Sequence, residues 1–242
     1  METLEGEREG LEKEAVIIIR ERINAKLEVV GKDEDNGKVI VGIVGGTSVP
    51  KIFKLLEKEK EIPWNKVHIF MLDERKVPLD NELSNFKMAK ELFLGVLPEK
   101  NVHPFNFEKH TLQDYEEEMK TVVNFGEELP FFDIIIISSG ENGHIASLFP
   151  NHESIKKDSD MFIKVDDAPI APPERMSASR RLIGRSKTAI LLFFGKNKAK
   201  AYKKFIINDG EIEKCPAKLI KSIKESYILV DKELLEELNI HY

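Results

Sequence analysis

The sequence predicts a single α/β domain over residues 1–242, built on a doubly wound, mainly parallel sheet with helices on both faces. Two observations carry that expectation. Five short runs are almost uniformly apolar: 38–44 (KVIVGIV), 67–72 (VHIFML), 134–137 (IIII), 187–194 (KTAILLFF) and 227–230 (YILV). A strand with one wet face alternates polar and apolar residues, so continuous runs indicate strands covered on both sides, the usual condition of a parallel sheet. Between these runs lie segments with apolar residues at three- and four-residue steps, and alternating strands and helices imply parallel crossovers. With 242 residues, 41% of them hydrophobic, the chain is long enough for one large core. No internal repeat or low-complexity tract divides it.

Taken in order, residues 4–30 place Leu11, Ala15, Ile18, Ile19, Ile23 and Leu27 on one stripe among charges, which predicts an amphipathic helix. Residues 1–10 are expected to fray. The polar stretch 31–37 (GKDEDNG) reads as a turn, and 38–44 as the first buried strand. It runs into Gly45, Gly46, Thr47, Ser48, Val49 and Pro50. Two glycines end a strand, Thr47 or Ser48 can cap a helix, and Pro50 suits a helix's first turn. Free N–H groups at such a junction favour an anion. The turn is neither a P-loop nor a dinucleotide-binding turn, and no cofactor is expected.

The second strand, 67–72, delivers Asp73, Glu74 and Arg75 to its carboxyl end, where charges ordinarily face solvent. A helix follows from Asn85 and closes near Gly95 and Pro98; another covers 112–125. The central strand then enters a glycine-bracketed turn holding Gly140, Gly143 and His144. Ligands of open α/β sheets bind at the carboxyl edge, which makes His144 a candidate for chemistry. Beyond it, 162–165 reads as a short strand. Prolines 169, 172 and 173 make 168–175 (APIAPPER) a stiff extended loop that presents Arg175. The strand 187–194 ends at Gly195, and Lys198 opens the next helix. Residues 215–222 read as helical, 227–230 as the last strand, and Asp231 as the cap of a closing helix to 238.

Composition excludes several classes of function. The formal net charge is −6, from 37 basic and 43 acidic residues, so no excess of positive charge is available for a nucleic acid backbone. The single cysteine, Cys215, precludes an intramolecular disulfide framework and fits a reducing compartment; no cluster of Cys and His suggests a metal. The charged start lacks a signal peptide's apolar core, and no apolar stretch approaches the roughly 20 residues needed to span a bilayer. A cytoplasmic protein that binds no membrane is expected.

The stretch 138–150, SSGENGHIASLFP, resembles the 6-phosphogluconolactonase signature G-x-G-x-D-G-H-x-A-S-L-F-P, with Ser138 at the first glycine and Asn142 at the aspartate. Three more segments follow that family in order: Asp73-Glu74-Arg75-Lys76-Val77-Pro78 with Ser84-Asn85, the P-P-x-R element at 172–175, and G-x-x-K-A at 195–199. The resemblance implies a Rossmann-like fold of the sugar-phosphate isomerase type and hydrolysis of 6-phosphoglucono-δ-lactone to 6-phosphogluconate in the oxidative pentose phosphate pathway. On this reading His144 is the candidate base, with Asn142 beside it, and Arg75 the candidate for steadying the oxyanion or the sugar's ring oxygens. Asp73 would bind hydroxyls, while Gly45, Gly46, Thr47, Ser48, Arg175 and Lys198 would grip the phosphate, the lysine by the family's pattern; which cation meets the phosphate and which the carbonyl stays open. It also implies association with glucose-6-phosphate dehydrogenase, which supplies the lactone. Related glucosamine-6-phosphate deaminases share the GGT turn but carry H-I-A-F-N-E-P, with an acid where this chain has Phe149, and D-E-Y where it has Asp73-Glu74-Arg75. A sugar-phosphate sensor that kept the pocket without catalysis is a further alternative.

Overall fold

The computed structural model describes residues 1–30, 37–122, 129–207 and 211–239. Residues 31–36 of the expected turn 31–37 and 123–125 of the expected helix 112–125 lie outside the described residues. In chain order the elements are β1 (Glu2–Gly6), α1 (Arg8–Val30), β2 (Val39–Ile43), α2 (Pro50–Leu56), β3 (Val67–Met71), β4 (Asp73–Arg75), α3 (Asn85–Leu92), β5 (Val102–His103), α4 (Leu112–Val122) and β6 (Ile134–Ser138). They continue with α5 (Glu153–Lys156), β7 (Phe162–Val165), β8 (Arg175–Ala178), α6 (Arg180–Gly184), β9 (Thr188–Phe193), α7 (Ala199–Ile206), β10 (Glu225–Asp231) and α8 (Lys232–Glu237). A 3-10 stretch, Pro216–Ser222, stands where a helix was expected.

Seven strands form one parallel sheet in the order β1-β10-β9-β6-β2-β3-β5. The five apolar runs are its five inner strands. Every residue of β2, β3 and β9 is buried, as strands covered on both faces must be. From β2 the chain winds outward through β3 to β5, then returns to β6 on the other side of β2 and winds out through β9 and β10. The direction of winding therefore reverses between β2 and β6, and a crevice opens between their carboxyl ends.

Three features depart from the sequence reading. The start of the chain does not fray: β1 pairs with β10 from Glu2 opposite Tyr227 to Gly6 opposite Asp231. Its residues (ETLEG) carry almost no apolar signal because this edge strand is held by backbone pairing rather than by burial. Secondly, α2 is capped by Val49 with no side-chain hydrogen bond, and not by Thr47 or Ser48. Thirdly, Asp73, Glu74 and Arg75 do not face solvent as a charged strand end. They form β4, which pairs antiparallel with β8 in a second, three-stranded sheet, β4-β8-β7, and places Arg75 opposite Arg175.

That small sheet is anchored by Glu74, which is fully buried. Its carboxylate accepts the backbone N–H groups of Arg75 (2.8 Å), Asn85 (2.9 Å) and Phe86 (2.8 Å), and the hydroxyl of Ser84 (3.1 Å). Burial raises its pKa while the three N–H donors oppose the rise. Four donors satisfy one carboxylate and bolt β4 to the first turn of α3. Arg75 and Asn85, whose N–H groups share one carboxylate oxygen, are thereby fixed side by side at the crevice.

Candidate active site

A pocket of about 390 Å³ occupies the crevice at the switch point. Its floor is the end of β2 with Gly45, Gly46 and Thr47, and the end of β6 from Ser138 to Asn142; Asp73, Arg75, Asn85, His144, Arg175 and Lys198 complete the wall.

His144 is set by the turn after β6. Gly143 sits at φ +95°, a conformation that favours glycine, and the Gly140 N–H donates to the His144 carbonyl at 2.8 Å. The imidazole lies directly over Gly140: a Cβ there would stand 1.9 Å from His144 Cε1. One oxygen, Asn142 Oδ1, is 3.0 Å from the His144 backbone N–H and 2.7 Å from its ring Nδ1. Because a backbone N–H can only donate, it fixes which end of the amide faces the histidine. That oxygen then requires the proton to sit on Nδ1, leaving the lone pair of a neutral ring on Nε2. The histidine is kept neutral: burial first, then the charges of Arg175, Lys198 and Arg75, lower its pKa from 6.5 to about 4.

At the other end Lys198 is almost fully buried, with Nζ 2.6 Å from Ser48 Oγ and 2.7 Å from Ser138 Oγ, which are themselves 3.1 Å apart. Burial, with Arg8 adding to it, brings its pKa down from 10.5 to about 8. Arg8, at the start of α1, reaches across to donate to the Thr47 carbonyl at 3.1 Å and so braces the turn, in which Gly46 takes φ +99°. Among the described residues neither Lys198, Arg75 nor Arg175 forms an ion pair. Three cations against the two carboxylates that line the same pocket, Asp73 and Glu141, leave a positive balance that suits an anion.

The two arginines are held differently. Arg75 donates from Nη1 to the Leu83 carbonyl at 2.7 Å, and its Nε is buried with no hydrogen-bond partner among the described residues. Arg175 spends Nε on the Pro172 carbonyl (2.8 Å) and Nη2 on those of Ile170 (2.7 Å) and Ala171 (3.3 Å), and lies over the Phe149 ring. The proline-rich loop is therefore curled around its own arginine. Opposite them, Asp73 is buried and accepts from Asn85 Nδ2 (3.1 Å) and Ser147 Oγ (2.9 Å).

All the residues expected from the sequence converge here except that Ser48 reaches the site through its hydroxyl on Lys198 rather than by lining the pocket. Four contributors were not foreseen: Ser138, Asn85, Ser147 and Arg8. Ser138 and Asn85 stood in plain view within the motifs. Their roles depend on side chains meeting across 60 and 12 residues respectively, which no local spacing reports.

Comparison with known proteins agrees with this geometry. The family model described as glucosamine-6-phosphate isomerases/6-phosphogluconolactonase matches residues 8–229. A 6-phosphogluconolactonase of Borreliella burgdorferi is 31% identical over 201 residues, covering 79% of this chain and 83% of that one. A probable 6-phosphogluconolactonase of rice, Oryza sativa subsp. japonica, is 30% identical over 206 residues, covering 78% of this chain and 69% of its own length. The crystal structure of a 6-phosphogluconolactonase from Thermotoga maritima superposes with a TM-score of 0.79 at 26% identity, covering 96% of this chain and all of that one.

Proposed function

Because the chain belongs to the glucosamine-6-phosphate isomerase/6-phosphogluconolactonase family, we propose that it hydrolyses 6-phosphoglucono-δ-lactone to 6-phosphogluconate, with His144 as general base. The observation that carries this reading is the double hydrogen bond to Asn142 Oδ1, which leaves Nε2 of a neutral imidazole as the proton acceptor. Nε2 takes a proton from water as the water oxygen bonds to the lactone carbonyl carbon. The carbonyl oxygen becomes an oxyanion facing Arg75, whose Nε has no partner among the described residues. Collapse of that intermediate breaks the bond to the ring oxygen, which recovers the proton from His144. The acid formed then ionises. An ester of this kind needs neither a covalent nucleophile nor a metal.

Lys198, with the hydroxyls of Ser48 and Ser138 and the backbone of Gly45, Gly46 and Thr47, holds the phosphate, and Arg175 keeps the proline-rich loop over the site while adding to the field. Phe149 stands where the deaminases carry an acid; it is fully buried with its ring 4.9 Å from that of His144, so no carboxylate is available there for ring opening. Among the described residues no helix is long and apolar enough to cross a membrane. A cytoplasmic site of action, in association with the glucose-6-phosphate dehydrogenase that makes the lactone, completes the proposal. The decisive assay is lactone hydrolysis by the intact protein, corrected for the spontaneous rate. No acceleration, together with tight 6-phosphogluconate binding, would replace the enzyme with a sensor.

A further inference from the structure

Asn85 begins α3 and is 1% exposed, yet it lines the pocket. Its amide has one possible orientation. Nδ2 is 2.9 Å from the Asp73 carbonyl and 3.1 Å from Asp73 Oδ1, and a flipped amide would set oxygen against oxygen at both. Oδ1 consequently faces Gly45 on the pocket floor, so closely that a Cβ on Gly45 would lie 2.0 Å from it. Among the described residues no group donates to this oxygen. A buried acceptor without a donor is costly; others in the chain lie away from the crevice, but this one stands on a residue of the pocket wall, where a ligand's donor can satisfy it.

The chemistry of that ligand group follows from its neighbours. Asp73, beside Asn85, offers only acceptors, so a phosphate or carbonyl oxygen would be repelled. An ammonium would suit the carboxylate, but Arg75 and Arg175 face the same space and oppose a further cation. A neutral hydroxyl remains. We propose that Asn85 Oδ1 accepts a hydrogen bond from one ring hydroxyl of the substrate, making Asn85 the specificity residue that reads the hydroxylated carbons while Lys198 holds the phosphate. This rests on the sugar-phosphate lactone reading given above. It also gives the bound sugar a direction, with its hydroxylated edge toward Asp73 and Asn85.

The test compares kcat/KM for 6-phosphoglucono-δ-lactone and its 2-deoxy, 3-deoxy and 4-deoxy forms. In the wild-type protein one deoxy form should lose roughly 10- to 100-fold more than the other two, because only its loss strands the Asn85 oxygen. In Asn85→Ala that analogue and the parent lactone should be hydrolysed at similar rates. Equal losses for all three analogues in the wild type, or an unchanged selectivity in Asn85→Ala, would overturn the assignment. If that variant does not fold, Asn85→Ser, which also withdraws the amide oxygen from Gly45, gives the same comparison. Should the parent lactone show no acceleration over the spontaneous rate, the lactonase reading fails separately, and calorimetric binding of 6-phosphogluconate and its deoxy forms decides the hydroxyl site by the same pattern.

Discussion

Asn142→Asp should strengthen the base and move its titration upward. The replaced oxygen is 2.7 Å from His144 Nδ1 and 3.0 Å from its backbone N–H, so a carboxylate would occupy the same place with the same two bonds. A full negative charge about 4 Å from the centre of the imidazolium is worth about 4 kcal/mol at an effective dielectric of 20, or about 3 pKa units. The histidine would then titrate near 7 instead of about 4. Only the neutral ring can accept a proton, so kcat/KM of the variant should fall below pH 7, whereas the wild type stays on its plateau to about pH 5. Above the new pKa a stronger base raises the rate, by about tenfold for three units on a shallow Brønsted slope. The two pH profiles should therefore cross, with the variant slower at pH 5 and faster at pH 8. Coupled detection of 6-phosphogluconate, with the spontaneous hydrolysis subtracted, reads both arms. An Asn142→Asp profile that superimposes on the wild type would refute Asn142 as the residue that positions and tunes the base.

Four further outcomes are expected. Lys198→Ala should raise KM for the lactone roughly 10- to 100-fold with a smaller effect on kcat, since phosphate is bound alike in ground and transition states; an unchanged KM removes Lys198 from the phosphate site. Arg75→Lys keeps the charge but loses the directed Nε–H, and kcat should fall at least tenfold, which single-turnover kinetics would separate from binding. Gly140→Ala would place a methyl 1.9 Å from the imidazole, and kcat should drop on the order of a hundredfold while the fold, followed by circular dichroism, persists. Finally, His68 is buried against His103, and burial, aided by that neighbour, lowers its pKa to about 4. Because the unfolded chain binds the proton more readily, stability from this group is present above pH 6.5 and is lost on acidification through about pH 4, about 2 kcal/mol of it between pH 7 and pH 5. Melting curves across that range should show a shallower decline for His68→Phe.

The apolar runs made the five inner strands legible because a strand covered on both faces admits only apolar residues. The edge strands were not legible for the same reason: β1 and β5 contribute little burial, and β5 is two residues long. The small sheet was missed because β4 consists of three charged residues. Its stability comes from the donors that surround Glu74, which lie one residue ahead and ten to twelve residues further along. The proline-rich loop is irregular, as its prolines predict, but it curls around Arg175 instead of extending, because that side chain gathers the carbonyls of Ile170, Ala171 and Pro172, and Arg175 itself opens β8. Within the site, glycines and titratable residues were visible as motifs. The amide and hydroxyl groups that orient them were not, since an Asn or Ser looks the same in sequence whether it meets water or a buried lysine.

The two departures from the family signature, Ser138 and Asn142, act on opposite ends of one charge distribution. A carboxylate at 142 would raise the basicity of His144, but it would also cancel part of the field that Lys198, Arg75 and Arg175 exert on a phosphate. With asparagine the tautomer is kept by the same oxygen, while the positive field remains whole. At the end proposed to hold the phosphate, the hydroxyl of Ser138 accepts from Lys198, so a buried ammonium that feels Asp231 and Glu141 but pairs with neither is solvated by the hydroxyls of Ser138 and Ser48. A glycine at 138 would leave Ser48 alone to do this, and burial would press the lysine pKa lower than about 8. Both substitutions thus favour anion binding over base strength. Ser138→Gly should accordingly weaken lactone binding most at alkaline pH, where the lysine loses its proton first. A KM that rises no earlier with pH in this variant than in the wild type would show that Ser138 does not sustain the charge on Lys198.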